Sequence, residues 1–599
     1  MKLRAAIALF LITTSVAIAY RIRIAQQTVA PASLTAYVPA DALLIIESPD
    51  FSSLLHQWTN SAECKSWLAS DNHSVFQNSR LFGRLSDAQT SFATAAGIPA
   101  GVDLLHEIAG KQSVFAWYDI GKLEFLYMTR MPASQADQTE LFQARASFQR
   151  RHAGNTDFYI RTSGTDYSTV AFARVPSPTG DLILLATRED LMANALTLIA
   201  ASSPANSVAQ EPWFRDVSAA LPAEKSAPAL HMVLNLDRIA VEPHFRSYWI
   251  QRNITWTQQF RAAASDLYIE SKGFREERVL LPKPTAAEPA TLNLAPLATL
   301  PPPATGIYRV VSTQDPAVAV TAIREKLLGS YTAPSSNPES APDPTVDAPQ
   351  AGSATDLETR IDVPPPVSPP SSTDSLTNLF QTIGLDAVLT LSSAQNPSDP
   401  QGLWIPIHSA VVLHTANSAN QQALASALEQ ALRGQLTAAS IGINFQPSKI
   451  SGVPISALTG PRHLFFAISS TPAQGNLILL ADDESLLSDL LHNLATSSPG
   501  STPFPATSIA VFNLSTQRAP YLRLASLIDG TNHSAPTVLK PAATAPDATT
   551  GEAPTAPAFF SQNLGSLSNA FADLESERVV ERLVDSNLRQ TVTYTWQKH

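Results

Sequence analysis

His106 and Glu107 begin the pattern H-E-x-x-H, in which two imidazoles one helical turn apart hold zinc and the glutamate moves a proton. The place of the second histidine is taken by Gly110. The pattern therefore fails, and His106 and Glu107 read as helix-surface residues. Lys111 follows Gly110, but the glycines and the Ser/Thr of a phosphate-binding loop are missing. There is no G-x-S-x-G elbow and no S-x-x-K with a K-T-G partner. The 12 histidines form no closely spaced ligand pair. Cys64 is the single cysteine. It excludes an intramolecular disulfide and a Cys-rich zinc site, and no base nearby would activate it as a nucleophile. It reads as a small, half-buried side chain.

Three further clusters have a chemical and a structural reading. Asp482, Asp483 and Glu484 could hold a metal, but the corresponding residues of a second, similar stretch are Thr187, Arg188 and Glu189. A helix N-cap at Thr187 or Asp482, with an acid in the first turn, explains both versions. A metal explains only one. Arg145, Arg150, Arg151 and His152 form a basic patch on an expected helix, either a solvated face or a contact for an anionic envelope polymer. Trp213, Phe214, Tyr248 and Trp249 read as core rather than as a ligand platform. No catalytic, cofactor-binding or metal residue is assigned on these grounds, and a non-enzymatic role is favoured.

The elements that would position such residues are duplicated. Residues 180–204 and 475–499 agree at thirteen of 25 positions without a gap. Each begins with a "LILLA" run, as a buried strand would. Each continues into a helix with one apolar stripe, Leu191, Met192, Ala195, Leu196 and Ile199 matching Leu486, Leu487, Leu490, Leu491 and Leu494. Upstream, "VAFARVPSPTG" and "LFFAISSTPAQG" read as strands entering hairpins. Downstream, "HMVLNLDRI" and "IAVFNLSTQ" read as strands. Each half opens with a strand and a helix, the turns carrying Pro49-Asp50 and Gln314-Asp315. The expected fold class is α+β: two homologous tandem halves, each a mainly antiparallel sheet with helices on one face. The first repeat spans 31–282, a linker 283–306, and the second repeat 307–599. Disordered Pro-rich inserts are expected at 331–373, which holds ten prolines, and at 535–557.

Composition narrows the class. The chain has 599 residues, 15% charged residues and a net charge of -11. With no run of Lys and Arg, a general nucleic-acid binder is excluded. Lys2 and Arg4 precede an uncharged run from Ala5 to Tyr20, and Ala17-Ile18-Ala19 fits a small-x-small cleavage pattern. Residues 1–24 therefore read as a signal peptide cleaved after Ala19. Arg21 and Arg23 support the alternative, an uncleaved membrane anchor through residues 5–20. Localisation is expected in the periplasm or cell envelope. Asn-x-Ser/Thr sites stand at Asn72, Asn253, Asn513 and Asn532.

The opening Val38-Pro39-Ala40-Asp41, the strand "ALLIIES", the Gly-turn-"LILLA"-helix unit and the Asn-Leu strand resemble an uncharacterised family of exported bacterial proteins with a Pro-Ala-Asp-strand opening. The Ala- and Pro-rich style is similar to acidobacterial members. The resemblance implies placement in the envelope and no activity. The second half departs from it at "LPPPATG". The expected function is binding or scaffolding in the envelope, with an envelope protein or polymer as partner. The alternatives are an envelope hydrolase with a site assembled from distant residues, and an assembly factor recruiting through its inserts.

Overall fold

The "LILLA" runs are apolar at every position because the strands they form are covered on both faces. The computed structural model describes residues 33–596 except 70–72, 74–76, 78, 79, 120, 165, 166, 202–204, 225, 242–256, 285–289, 329–373, 395–405, 416–419, 437–443, 460–462, 472–474, 497–503 and 529–573. The segment 1–24, the inserts 331–373 and 535–557, and Asn72, Tyr248, Trp249, Asn253 and Asn532 lie outside the described residues.

The fold is α+β with antiparallel strand pairing. The strands are β1 (Leu44–Ser48), β2 (Ser113–Asp119), β3 (Glu124–Met131), β4 (Gln149–Ala153), β5 (Thr156–Thr162), β6 (Thr169–Val175), β7 (Asp181–Ala186), β8 (Leu230–Asn235), β9 (Phe260–Glu270), β10 (Gly273–Pro282), β11 (Leu292–Asn293) and β12 (Ile307–Ser312). They continue as β13 (Leu385–Ala394), β14 (Ile407–Thr415), β15 (Gln446–Ile450), β16 (Val453–Leu458), β17 (Leu464–Thr471), β18 (Gly475–Ala481), β19 (Pro505–Ala506), β20 (Ser508–Asn513), β21 (Leu574–Val584) and β22 (Asn587–Trp596).

Two compact units divide the chain. One contains 91–116 and 124–211 with the residues before Leu43; the other contains 43–90, 117–123 and 212 onward. In the first unit the sheet order is β3–β7–β6–β5–β4. Phe172 is fully buried, with Phe142 and Phe148 edge-on to its ring and Tyr159 stacked on it. The helix Glu189–Ala200 buries Leu191, Met192, Ala195 and Leu196 of the stripe read from its periodicity, whereas Ile199 is half-buried and Leu198 is buried in addition.

In the second unit the order is β1–β8–β9–β10–β22–β21–β20–β12–β13–β14–β18–β17–β16–β15, antiparallel throughout. Two sub-orders recur. The run β4–β5–β6–β7–β3 has the same form as β15–β16–β17–β18–β14, and β1–β8–β9–β10 the same form as β12–β20–β21–β22. β10, at the end of the expected first repeat, hydrogen-bonds β22, at the end of the expected second, in register from Gly273↔Thr595 to Leu280↔Leu588.

Helices on one face of the sheet were expected, and the second unit corrects this. The helices Pro316–Ile323, Ser375–Ile383 and Gln421–Leu436 share a core with Val388, Val411, Phe466 and Ile478. The helices Ala295–Ala298 and Glu484–Thr496 share another with Leu389, Val412, Ala467 and Leu479. These strand residues alternate, so the two cores lie on opposite faces. An all-apolar strand needs a cover on each side, and one layer of helices cannot provide both. Within the expected linker 283–306, Leu294, Leu297 and Leu300 are buried in the second of these cores.

The acids noted before the two opening helices, Asp50 and Asp315, cap them. Asp50 Oδ1 accepts from the Ser53 N–H at 3.0 Å, and Asp315 Oδ1 from the Ala317 N–H at 2.9 Å. The caps read at Thr187 and Asp482 fall one residue too early. Asp483 caps its helix, accepting from the Leu486 N–H at 2.9 Å. Arg188 occupies the other cap position without a side-chain bond. Thr187 and Asp482 instead extend strand pairing. Thr187 Oγ1 accepts from the Phe125 N–H at 2.9 Å, and Asp482 Oδ1 from the Ser409 N–H at 2.8 Å.

Candidate functional site

The hairpins β9–β10 and β21–β22 are both closed by two residues, Ser271-Lys272 and Asp585-Ser586. Asp585 and Ser586 have φ of 50° and 59°, the backbone of a tight hairpin turn. Equal turn lengths put the strands in one-to-one correspondence, position by position.

A row of directly opposed residues crosses both halves of this sheet. It runs Glu47–His231–Asp266–Glu277–Thr591–Val580–Ile509–Val310. Glu277 and Thr591 are each the fifth residue of their strand, Asp266 and Val580 the seventh, His231 and Ile509 the second, and Glu47 and Val310 the fourth. Four matched positions are thus Glu, His, Asp and Glu on one side, and Val, Ile, Val and Thr on the other. Opposed residues share a face, so the polar row lies on one side of the sheet.

The polar row is held by direct bonds. His231 Nδ1 lies 2.6 Å from Asp266 Oδ1, with both side chains largely buried. The Tyr268 hydroxyl donates to Asp266 Oδ2 at 3.4 Å. The Arg275 guanidinium sits 4.5 Å from the centre of the Tyr268 ring. It donates to Glu277 Oε1 at 2.6 Å and Glu270 Oε1 at 2.7 Å, and pairs with Glu224 at 3.2 Å. Thr591 Oγ1 donates to Glu277 Oε2 at 2.8 Å. Burial, with the Asp266 and Glu224 carboxylates beside it, pushes the Tyr268 phenol up to about 12. Burial works against the Arg275 charge, but the bonds to Glu270 and Glu277 prevail and hold its pKa above the usual value.

A buried His–Asp pair can orient an imidazole for proton transfer. A nucleophile is needed beside it for acyl transfer. Ser265 is adjacent in sequence but stands on the other face, where its hydroxyl donates to Glu276. Burial disfavours the Glu276 carboxylate, but the Arg278 and Ser265 bonds outweigh it and lower its pKa. What the row offers is a fixed, directional set of acceptors and one imidazole.

The residues singled out from sequence lie elsewhere. Gly110 has no room for the missing histidine: a Cβ there would collide with the Arg130 carbonyl oxygen and Thr129 Oγ1. Glu107 accepts from the Glu140 N–H at 2.8 Å and is on the surface of the helix Val102–Ile108. Cys64 is buried, not half-buried, near the start of the helix Ala62–Leu68. Arg150, Arg151 and His152 are exposed as expected, but on β4 and not on a helix. Arg150 and His152 both pair with Asp157, which bonding holds below the usual carboxylate range. Asp482 lies 3.7 Å from His408, and burial pushes its carboxyl up. Phe214 is buried in the helix Pro212–Ala220, with Trp213 edge-on. Among the described residues, no group of three or more His, Cys, Asp or Glu could hold a metal ion, and no helix is long and apolar enough to cross a membrane.

Sequence reasoning missed Glu47, His231, Asp266 and Glu277 because they sit on four strands and no local spacing joins them. The available signal was the difference between matched strands: "LHMVLN" against "SIAVFN" sets His231 against Ile509.

No family model matches the chain, and no curated protein matches it. A solved structure titled "Structure of crystal form I of TP0453" aligns at 11% identity with a TM-score of 0.23, over 43% of this chain and 82% of the other.

Proposed function

We propose that this chain is an exported cell-envelope protein that acts by binding or scaffolding, and that it is built from two homologous halves. The observation that carries the reading is the matched row. The same positions of recurring strand orders hold Glu47, His231, Asp266 and Glu277 in one half and Val310, Ile509, Val580 and Thr591 in the other. Duplication keeps the scaffold and frees one face to change its chemistry. A polar stretch fixed by its own bonds, continuous on the same face with the buried apolar stretch of Val310, Ile509 and Val580, suits recognition of an envelope protein or polymer.

Export is supported by the sequence at Lys2, Arg4 and Ala5–Tyr20. N-terminal sequencing of the protein recovered from cell fractions tests it. A chain beginning at Tyr20 in the envelope fraction fits a cleaved signal, and one retaining its start fits a tether. Recovery only from the cytoplasm defeats the proposal. In-cell crosslinking of the full chain tests the face. The crosslinked envelope species should disappear with Glu47→Gln/His231→Asn/Glu277→Gln, and an unchanged pattern would remove the row from the reading.

A hydrolase is the second reading, favoured by the His231–Asp266 pair at 2.6 Å. It predicts turnover of an envelope ester or amide that His231→Ala abolishes. Equal turnover by the variant defeats it.

A further inference from the structure

Beside the row, β21 and β22 present three arginines on one face. Arg582 stands directly opposite Arg589. Arg578 and Arg582 flank the buried Val580, and both lie over the Phe504 ring, 5.6 and 4.5 Å from its centre. Like charges directly opposed on a sheet repel. Yet no ion pair to a described residue holds any of the three, and the Arg589 Nε is buried without a hydrogen-bond partner.

The other hairpin neutralises the same geometry. Arg275 is the third residue of β10, as Arg589 is of β22, and Tyr268 is the ninth of β9, as Arg582 is of β21. Arg275 is held by Glu224, Glu270 and Glu277, and faces a tyrosine. Around Arg589, the positions of Glu270 and Glu277 are taken by Val584 and Thr591. The carboxylates near in sequence do not compensate. Glu577 and Glu581 alternate onto the opposite face, where Glu581 binds Gln590 and Thr507. Glu277, one row away on this face, is engaged by Arg275 and Thr591.

We propose that Arg578, Arg582 and Arg589 form a binding site for an oxyanion, a phosphate or carboxylate group, with Phe504 as the apolar wall for the carbon atoms it is attached to. Guanidinium forks suit such groups because each presents paired N–H donors to two oxygens. An anion between Arg582 and Arg589 would supply the buried Arg589 Nε with an acceptor and remove the repulsion. The site stands on the geometry of this hairpin and does not depend on the envelope reading.

Calorimetric titration of the full chain with inorganic phosphate, and separately with succinate, tests it at fixed ionic strength. At least one should bind saturably. Arg582→Gln and Arg589→Gln should each weaken binding at least about tenfold, as loss of a charge-assisted pair implies, whereas Arg433→Gln, on a distant helix, should leave it unchanged. Arg582→Lys keeps the charge and loses the fork, so it should also bind more weakly than the parent. If a glutamine variant fails to fold, Arg578→Gln and Arg582→Lys carry the same expectation. Saturable binding by neither probe, or undiminished binding in the folded arginine variants, overturns the site.

Discussion

Thr591 Oγ1 donates to Glu277 Oε2 at 2.8 Å across the pairing of β10 with β22, and the two residues occupy the same position in their strands. Each strand is the second arm of a two-residue hairpin. An antiparallel pair of equivalent strands has one register point at which a residue faces its own counterpart. Glu277↔Thr591 is that point, so a local pseudo-twofold passes between them. The bond therefore lies at the centre of the seam that joins β9–β10 to β21–β22.

Thr591→Val removes the donor and leaves Glu277 with Arg275. A cost of about 1 kcal/mol is expected, the usual net value of one hydrogen bond. Glu277→Ala strips a carboxylate from Arg275, a side chain that is 21% exposed, and should cost about 2 kcal/mol. Urea midpoints of the two variants check the order. A larger loss from Thr591→Val than from Glu277→Ala would contradict this account of the seam.

Gly273 begins β10 with φ of +150°, and a Cβ there would run into the Tyr594 carbonyl oxygen of β22. Gly273→Ala combines strain with that collision and is expected to cost about 2–3 kcal/mol. Hydrogen exchange should locate the weakening in β10 and β22. Unchanged protection there would show that the strands do not approach so closely in solution.

Tyr268 should be the last tyrosine of its neighbourhood to ionise, because its phenol is pushed up to about 12. The folded value lies above the unfolded one, near 10. The folded state therefore binds more protons between these values. The stabilisation is complete below about pH 10 and is lost as pH rises through about 12. Ultraviolet titration of the folded chain against Tyr268→Phe should remove a phenolate step at the alkaline end. Loss of a step near pH 10 instead would refute the burial argument.

Glu276 titrates the other way. Its folded pKa lies below the usual carboxylate value through Arg278 and Ser265. Its contribution is present above the unfolded pKa and disappears as pH falls through the folded one. Glu276→Gln should cost about 1–2 kcal/mol at neutral pH, moderated because Arg278 is partly solvated. Acid-induced loss of stability should be shallower in the variant, as read from denaturant midpoints between pH 6 and 2. Parallel curves for variant and parent would remove Glu276 from the acid response.

The sequence by itself determined the local elements whose signal is periodic or chemical over a few residues. The "LILLA" strands at β7 and β18 were legible because every position is apolar. So were the helices after them, because their apolar residues fall on one stripe. The acids before the opening helices, Asp50 and Asp315, were visible in the turns, but only the structure showed that they cap through the Ser53 and Ala317 N–H groups. Thr187 and Asp482 carry the same cap chemistry, but each side chain is nearer the N–H of a neighbouring strand, and that competition is invisible locally. The tertiary structure alone decided the rest. It placed helices on both faces, paired β10 with β22, and brought Glu47, His231, Asp266 and Glu277 into one row. It also set Arg582 against Arg589. These relations depend on strand order and register between segments far apart in the chain, and hydrogen-bonded pairing, not local spacing, fixes which residues then meet.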